Sequence, residues 1–116
     1  MFLGQLQNQA KCGVLGSSYE GRHIPLVTLG NKNSKELIVI SGRVHPGETG
    51  SSYIAEGFLK EIVADFPHTQ YLLNRFLFKI VPMINVDGVC KGNFRFSAAG
   101  ADLNRKWKQP NQQHYP

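Results

Sequence analysis

What this sequence lacks narrows its function before any motif is read. Its 116 residues contain only two cysteines, Cys12 and Cys90. Their number and spacing suggest neither a disulfide framework nor a zinc knuckle, and they read as free thiols in a reducing compartment. No apolar run approaches the roughly 20 residues needed to cross a bilayer. The start, Met1 to Asn8, has no basic region followed by a continuous apolar stretch, so it is not a secretory signal. There is no internal repeat, no low-complexity linker and no basic block interleaved with aromatics, which leaves nucleic-acid binding without support. Charged residues make up only 18% of the chain and hydrophobic ones 41%, a balance suited to a packed core rather than to disorder. The expectation is a soluble cytoplasmic protein with no membrane or nucleic-acid partner. Its net charge of +5 would draw an anionic partner, such as an acidic peptide, by long-range attraction.

Length places the chain at the lower end of single-domain size. Residues 1–23, rich in Gly, Ser, Gln and Asn, read as irregular. Ile24 to Leu29 has strand composition and is closed by the polar turn cluster Gly30-Asn31-Lys32-Asn33-Ser34. Glu36 to Ser41 reads as a second strand, and its continuous Leu-Ile-Val-Ile run predicts burial on both faces. Beyond the loop Gly42 to Gly50 the period changes. Ser51 and Ser52 are candidate helix caps, and Tyr53, Ile54, Phe58, Leu59, Ile62 and Val63 form an apolar stripe at helical spacing. Pro67 breaks that helix, Thr69 caps a short second one running to Arg75, and Phe76 to Val81 reads as a third strand. From Met83 onward loop signals dominate. The order strand, strand, helix, strand predicts an α/β layer with its functional site at one sheet edge. A 34-residue tail almost without regular structure is uncommon in a compact domain, which suggests a chain cut short.

The most informative segment is His45-Pro46-Gly47-Glu48. An imidazole and a carboxylate three residues apart, delivered by a buried strand into a loop, can reach one zinc ion from the same side. Pro46 and Gly47 forbid a regular helix between them. The ordinary reading is a loop histidine bonded to a carbonyl beside an exposed glutamate. Asn104-Arg105 is the second candidate: an Arg fork and a neighbouring amide suit capture of a peptide's terminal carboxylate, against an ordinary surface pair. Arg95, in Gly92-Asn93-Phe94-Arg95-Phe96-Ser97, could stabilise an oxyanion, or be a solvated cation between two packed aromatics. Asn85-Val86-Asp87-Gly88 reads best as a structural turn, with Asp87 alternatively orienting a ligand histidine.

Taken together and in order, these segments resemble the zinc metallocarboxypeptidases, and specifically their cytosolic branch. The resemblance runs from about Leu15, through Leu15 to Arg22, Ser41 to Thr49 with its Arg43-Val44-His45-Pro46-Gly47-Glu48 form, Phe78 to Val89, Gly92 to Arg95 and Gly100 to Trp107. It implies a catalytic-domain portion over residues 15–116 preceded by an irregular leading segment, 1–14. The implied fold is the first half of a mixed eight-stranded sheet flanked by helices. His45 and Glu48 would then be the first two ligands of one zinc ion. Arg95 would polarise the scissile carbonyl, and Asn104 with Arg105 would anchor the terminal carboxylate. The implied reaction removes a C-terminal residue by zinc-activated water. The implied substrates are acidic, glutamate-rich tails, notably those of tubulin.

Two departures stand out. Val86 occupies a position where the family usually has proline, which would loosen the turn. The family's third ligand histidine and its general-base glutamate fall beyond the Asn-Arg pair, and the sequence reads as ending first. The branch's upstream β-sandwich is also missing. His23, His68 and His114 lie outside any ligand motif, and none is assigned to zinc. The chain alone is therefore expected to be inactive. Two alternatives stay open: a non-catalytic module for acidic C-terminal tails, and a fragment without independent function.

Overall fold

The computed structural model describes residues 10–108. Four strands form one mixed sheet in the order β1-β2-β4-β3, so the expected α/β architecture with a partial mixed sheet is what the chain adopts. The strands are β1 (Ala10–Ser17), β2 (His23–Gly30), β3 (Leu37–Ser41) and β4 (Leu77–Val81), and the helices are α1 (Gly50–Ile62), α2 (Pro67–Arg75) and α3 (Val86–Cys90). β1 and β4 both run antiparallel to β2. β3 lies parallel to β4, pairing Leu37 with Leu77 through Ser41 with Val81. A parallel pair needs a long crossover, and α1 with α2 supplies it. Because β3 and β4 are parallel neighbours, the loops that leave their carboxyl ends emerge at the same end of the sheet. That is where open α/β sheets place ligands.

The core lies on one face. Val27 and Leu29 of β2, Phe78 and Ile80 of β4, and Leu59 and Ile62 of α1 form one buried cluster. The alternation of these strand residues follows from the twofold repeat of an extended chain. A smaller cluster on the opposite face joins Ile24, Val81 and Val86. It fastens α3 to the end of β4, and Val86, the first residue of α3, is one of its members.

Several local expectations change. Residues 10–17, read as irregular, form β1. Their two glycines and lack of alternation hide a strand that is largely exposed and held by its ladder with β2, bulged between Val14 and Gly16. β3 is not buried on both faces: Leu37 and Val39 are 53% and 61% exposed. An unbroken apolar run shows that both faces can be covered, but β3 is an edge strand here and only its Ile38 and Ile40 face reaches the core. In α1, Tyr53 and Ile54 are exposed, and Ala55, Leu59 and Ile62 are the buried residues. Ser51 and Ser52 are not caps. Thr49 occupies that place without a side-chain bond, and both serine hydroxyls serve Arg43. Pro67 begins α2 rather than ending α1, at the first-turn position where its missing N–H costs nothing. Thr69 sits inside that turn, its hydroxyl accepting from the Phe66 N–H.

Gly30 closes β2 at a φ of 90°, and a Cβ there would lie 2.3 Å from the Phe76 carbonyl oxygen. Gly13 in β1 has nothing within 4 Å of the same position. Gly30→Ala is expected to lower unfolding free energy by about 1–3 kcal/mol, and Gly13→Ala to change it by no more than about 0.5 kcal/mol. Urea denaturation of both variants checks the contrast.

Candidate functional site

The loop after β3 is bent by short-range bonds. The Glu48 N–H donates to the His45 carbonyl, the Thr49 N–H to the Gly47 carbonyl and the Ser51 N–H to the Glu48 carbonyl. This winding leads straight into α1 and turns two side chains toward each other: His45 Nδ1 lies 2.9 Å from Glu48 Oε1. Across the loop, Asn85 donates its side-chain amide to the Val44 carbonyl and its backbone N–H to the Arg43 carbonyl. Its Oδ1 meanwhile accepts from the Gly88 N–H and caps α3. One buried asparagine thus joins the loops that leave β3 and β4.

Arg95 arrives on the following loop. The Gly47 N–H donates to the Phe94 carbonyl at 2.8 Å, and the Phe94 ring lies so near that a Cβ on Gly47 would meet it at 2.5 Å. Glycine is required there for close approach of the two loops. The reading of Arg95 as a cation between packed aromatics does not hold, because Phe94 and Phe96 are exposed. Instead Arg95 Nε donates to Asp102 Oδ2 at 2.8 Å.

Asp102 was not among the candidates read from the sequence, and it organises the site. Its Oδ1 lies 3.0 Å from His45 Nε2 and accepts from the Asn104 N–H. It thereby caps the 3₁₀ turn Leu103–Arg105. Burial pushes the Asp102 carboxyl up, but hydrogen bonds from His45 and Arg95 and the charge of Arg95 outweigh it and hold the group below its usual range. The available signal was its place as an Asx-type cap one residue before a turn. Nothing in the sequence says which histidine would meet it.

His45 now touches a carboxylate on each ring nitrogen. A neutral imidazole has one proton, so it can donate to only one of them. Asp102, 13% exposed and already held by Arg95, is the better-fixed acceptor, whereas Glu48 is 58% exposed. With the proton on Nε2, the Nδ1 lone pair faces the Glu48 oxygen, and a cation between them removes the conflict. Two donors 2.9 Å apart can both reach one zinc ion at its usual bond lengths of about 2.0–2.2 Å. The donor pair therefore fits zinc. Among the described residues no group of three or more His, Cys, Asp or Glu side chains could hold a metal. His23 is exposed at the start of β2, and His68 stands 3.2 Å from Glu61 on the helices. His114 lies outside the described residues.

The 3₁₀ turn presents Asn104 and Arg105 at the surface. Asn104 Oδ1 accepts from Trp107 Nε1 at 2.8 Å, and the Arg105 guanidinium bonds the Asn104 carbonyl at 3.4 Å. Through Asp102 the fold brings His45, Glu48, Arg95 and the backbone of Asn104 together. Arg105 shares the turn, its N–H donating to the Asp102 carbonyl at 3.0 Å, but its guanidinium reaches the Asn104 carbonyl rather than His45, Glu48 or Arg95.

The Asn85-Gly88 segment is the first turn of α3 rather than a free turn, and Asp87 bonds no histidine among the described residues. Its buried carboxylate accepts from the Ser18 hydroxyl at 2.7 Å, the Glu20 N–H at 3.0 Å and Arg22 Nη1 at 2.8 Å. It pins the β1–β2 turn to α3. Burial pushes this carboxyl up, but the bonds from Ser18, Arg22 and Glu20 prevail and leave it lowered. A lowered carboxyl stabilises the fold above its unfolded pKa of about 3.9, and that stabilisation is lost as pH falls through the folded value. The stability gap between the native chain and Asp87→Asn is expected to be flat above about pH 5 and to close on further acidification. Unfolding curves taken across that range test the sign.

Asp102→Asn keeps the shape of the side chain and removes its charge. The His45 ring is expected to lose its preference for the Nε2 proton, read from its imidazole 15N shifts. Unchanged shifts would show that Asp102 does not set the tautomer.

Known proteins resemble this chain in sequence and in fold. The family profile described as zinc carboxypeptidase matches residues 2–115. Cytosolic carboxypeptidase 2 of Mus musculus is 41% identical over 96% of this chain and 14% of its own length. Cytosolic carboxypeptidase 6 of Mus musculus is 41% identical over 88% of the chain and 20% of its own. Among solved structures, a putative carboxypeptidase A from Shewanella denitrificans superposes with a TM-score of 0.90 at 38% identity, over 98% of this chain and 31% of that one. The chain thus spans a fifth or less of these curated relatives and about a third of the solved structure.

Proposed function

Because this chain belongs to the zinc carboxypeptidase family, we propose that it supplies part of the active site of a metallocarboxypeptidase. The observation that carries this reading is the double carboxylate contact of His45, with Asp102 on Nε2 and Glu48 beside Nδ1. His45 and Glu48 hold one zinc ion, which supplies Lewis acidity at the scissile carbonyl when bound. Asp102 keeps the imidazole in the orientation and tautomer that ligation requires. Arg95, fixed through Nε on Asp102, offers its remaining N–H groups to an oxyanion. Asn104 and Arg105 receive the terminal carboxylate of the substrate, the guanidinium through a two-pronged contact that a lysine could not make.

The reaction is removal of C-terminal residues from peptides or proteins. The excess of basic residues favours acidic, glutamate-rich tails such as those of tubulin. Two relatives carry the word cytosolic in their names, and no described helix is long and apolar enough to cross a membrane. We place the reaction in the cytoplasm. Hydrolysis further requires a third ligand and a general base, which we assign to residues outside 10–108, so those residues alone are inactive. A module that binds acidic tails without cleaving them is the competing reading, favoured by an Arg105 that stands exposed with its guanidinium on the Asn104 carbonyl rather than on the side chains around His45.

Zinc calorimetry on the chain, with His45→Ala and Glu48→Ala, separates the two. One zinc per chain, lost in both variants, is expected. Binding of a glutamate-rich peptide that survives both substitutions but not Arg105→Ala, without any zinc binding, would establish the module instead.

A further inference from the structure

Arg43 is the only residue other than glycine with a positive φ among those described, at 54°. The left-handed region is unfavourable for a side chain with a Cβ, so something else must hold the residue there. Its backbone is gripped on both sides: the N–H donates to the Ser51 hydroxyl at 3.0 Å, and the carbonyl accepts from the Asn85 N–H at 3.2 Å. The conformation turns the guanidinium back over the loop that its own backbone begins. Nε and Nη2 both donate to the Pro46 carbonyl, at 3.0 and 2.7 Å, and Nη1 donates to the Ser52 hydroxyl at 2.9 Å.

Pro46 lies between His45 and Glu48, so its carbonyl belongs to the short arc that sets their separation. The acceptor is a neutral backbone oxygen and the donor a full cation, a charge-assisted contact stronger than a neutral one. The third N–H ties the arc to Ser52 in the first turn of α1, which also carries the backbone beyond Glu48. We propose that Arg43 is a positioning residue that fixes the spacing of His45 Nδ1 and Glu48 Oε1 by clamping the Pro46 carbonyl to α1. The inference rests on the metal reading of that pair. It adds a specific demand: a planar fork at position 43, not merely a positive charge. Lysine carries its charge on one nitrogen and cannot reproduce two nitrogens on the Pro46 carbonyl with a third on Ser52.

The test compares the full chain with Arg43→Met, Arg43→Lys and Ser52→Ala, using zinc affinity by chelator competition, metal-free thermal unfolding and the 15N shifts of the His45 ring. Arg43→Met is expected to weaken zinc binding by about 10- to 100-fold and to move the metal-free His45 shifts, with Arg43→Lys recovering little of either. Ser52→Ala is expected to shift both in the same direction by a smaller amount. Native zinc affinity and native His45 shifts in Arg43→Met would overturn the proposal, as would full recovery in Arg43→Lys. If Arg43→Met fails to fold, Ser52→Ala decides by the same two readouts. If the unaltered chain binds zinc no better than His45→Ala, the metal reading fails on its own. The clamp is then judged by the metal-free shifts: displaced in Arg43→Met they uphold it, unchanged they refute it.

Discussion

A carboxylate with several claims on it holds this site together. With the His45 proton on Nε2, Asp102 accepts from His45, from Arg95 and from the Asn104 backbone, three groups that come from the loop after β3 and the segment after α3. Removed from most solvent, such a group is costly unless its oxygens are satisfied. Here the satisfaction is also the geometry. Each bond that settles the charge of Asp102 places a group that the proposed chemistry uses. The same contact leaves Nδ1 of His45 facing Glu48 across 2.9 Å, an arrangement that a neutral ring leaves strained and a cation relieves.

The framework beneath Asp102 explains why such a contact can form at residues far apart in the chain. Parallel pairing of β3 and β4 brings their carboxyl ends to one edge. Asn85 then joins the Arg43–Val44 backbone to the cap of α3. Gly47 allows the Phe94 loop to close against the loop that carries His45 and Glu48. A second carboxylate, the buried Asp87, secures the β1–β2 turn to α3. The two aspartates have parallel roles, since each is pulled up by burial and down by its donors. Only Asp102 faces the candidate metal ligands.

Much of the fold is legible in local pattern because its causes are local. β2 and β4 carry strand composition between turn signals, and the helical stripe of α1 includes Leu59 and Ile62, which do reach the core. Reading fails where neighbours decide. β1 has too little side-chain signal to announce itself and exists because β2 offers it a ladder. β3 looks buried twice over, yet Val39 is exposed because β3 ends the sheet. Tyr53 and Ile54 belong to the apolar stripe by period, and the sheet meets α1 on the adjoining face.

The sequence by itself offered the candidates: His45 and Glu48 in a bend where Pro46 and Gly47 exclude a helix, and, through the family resemblance, Arg95, Asn104 and Arg105. Residue type and order along the chain carry these candidates, and neither depends on a distant partner. Only the tertiary structure decided that Asp102 meets His45 over a separation of 57 residues, that Asp87 serves the β1–β2 turn, and that Arg43 bends backward onto Pro46. Buried polar groups are paired by whatever donors the fold brings within about 3 Å, and the linear sequence does not give those distances.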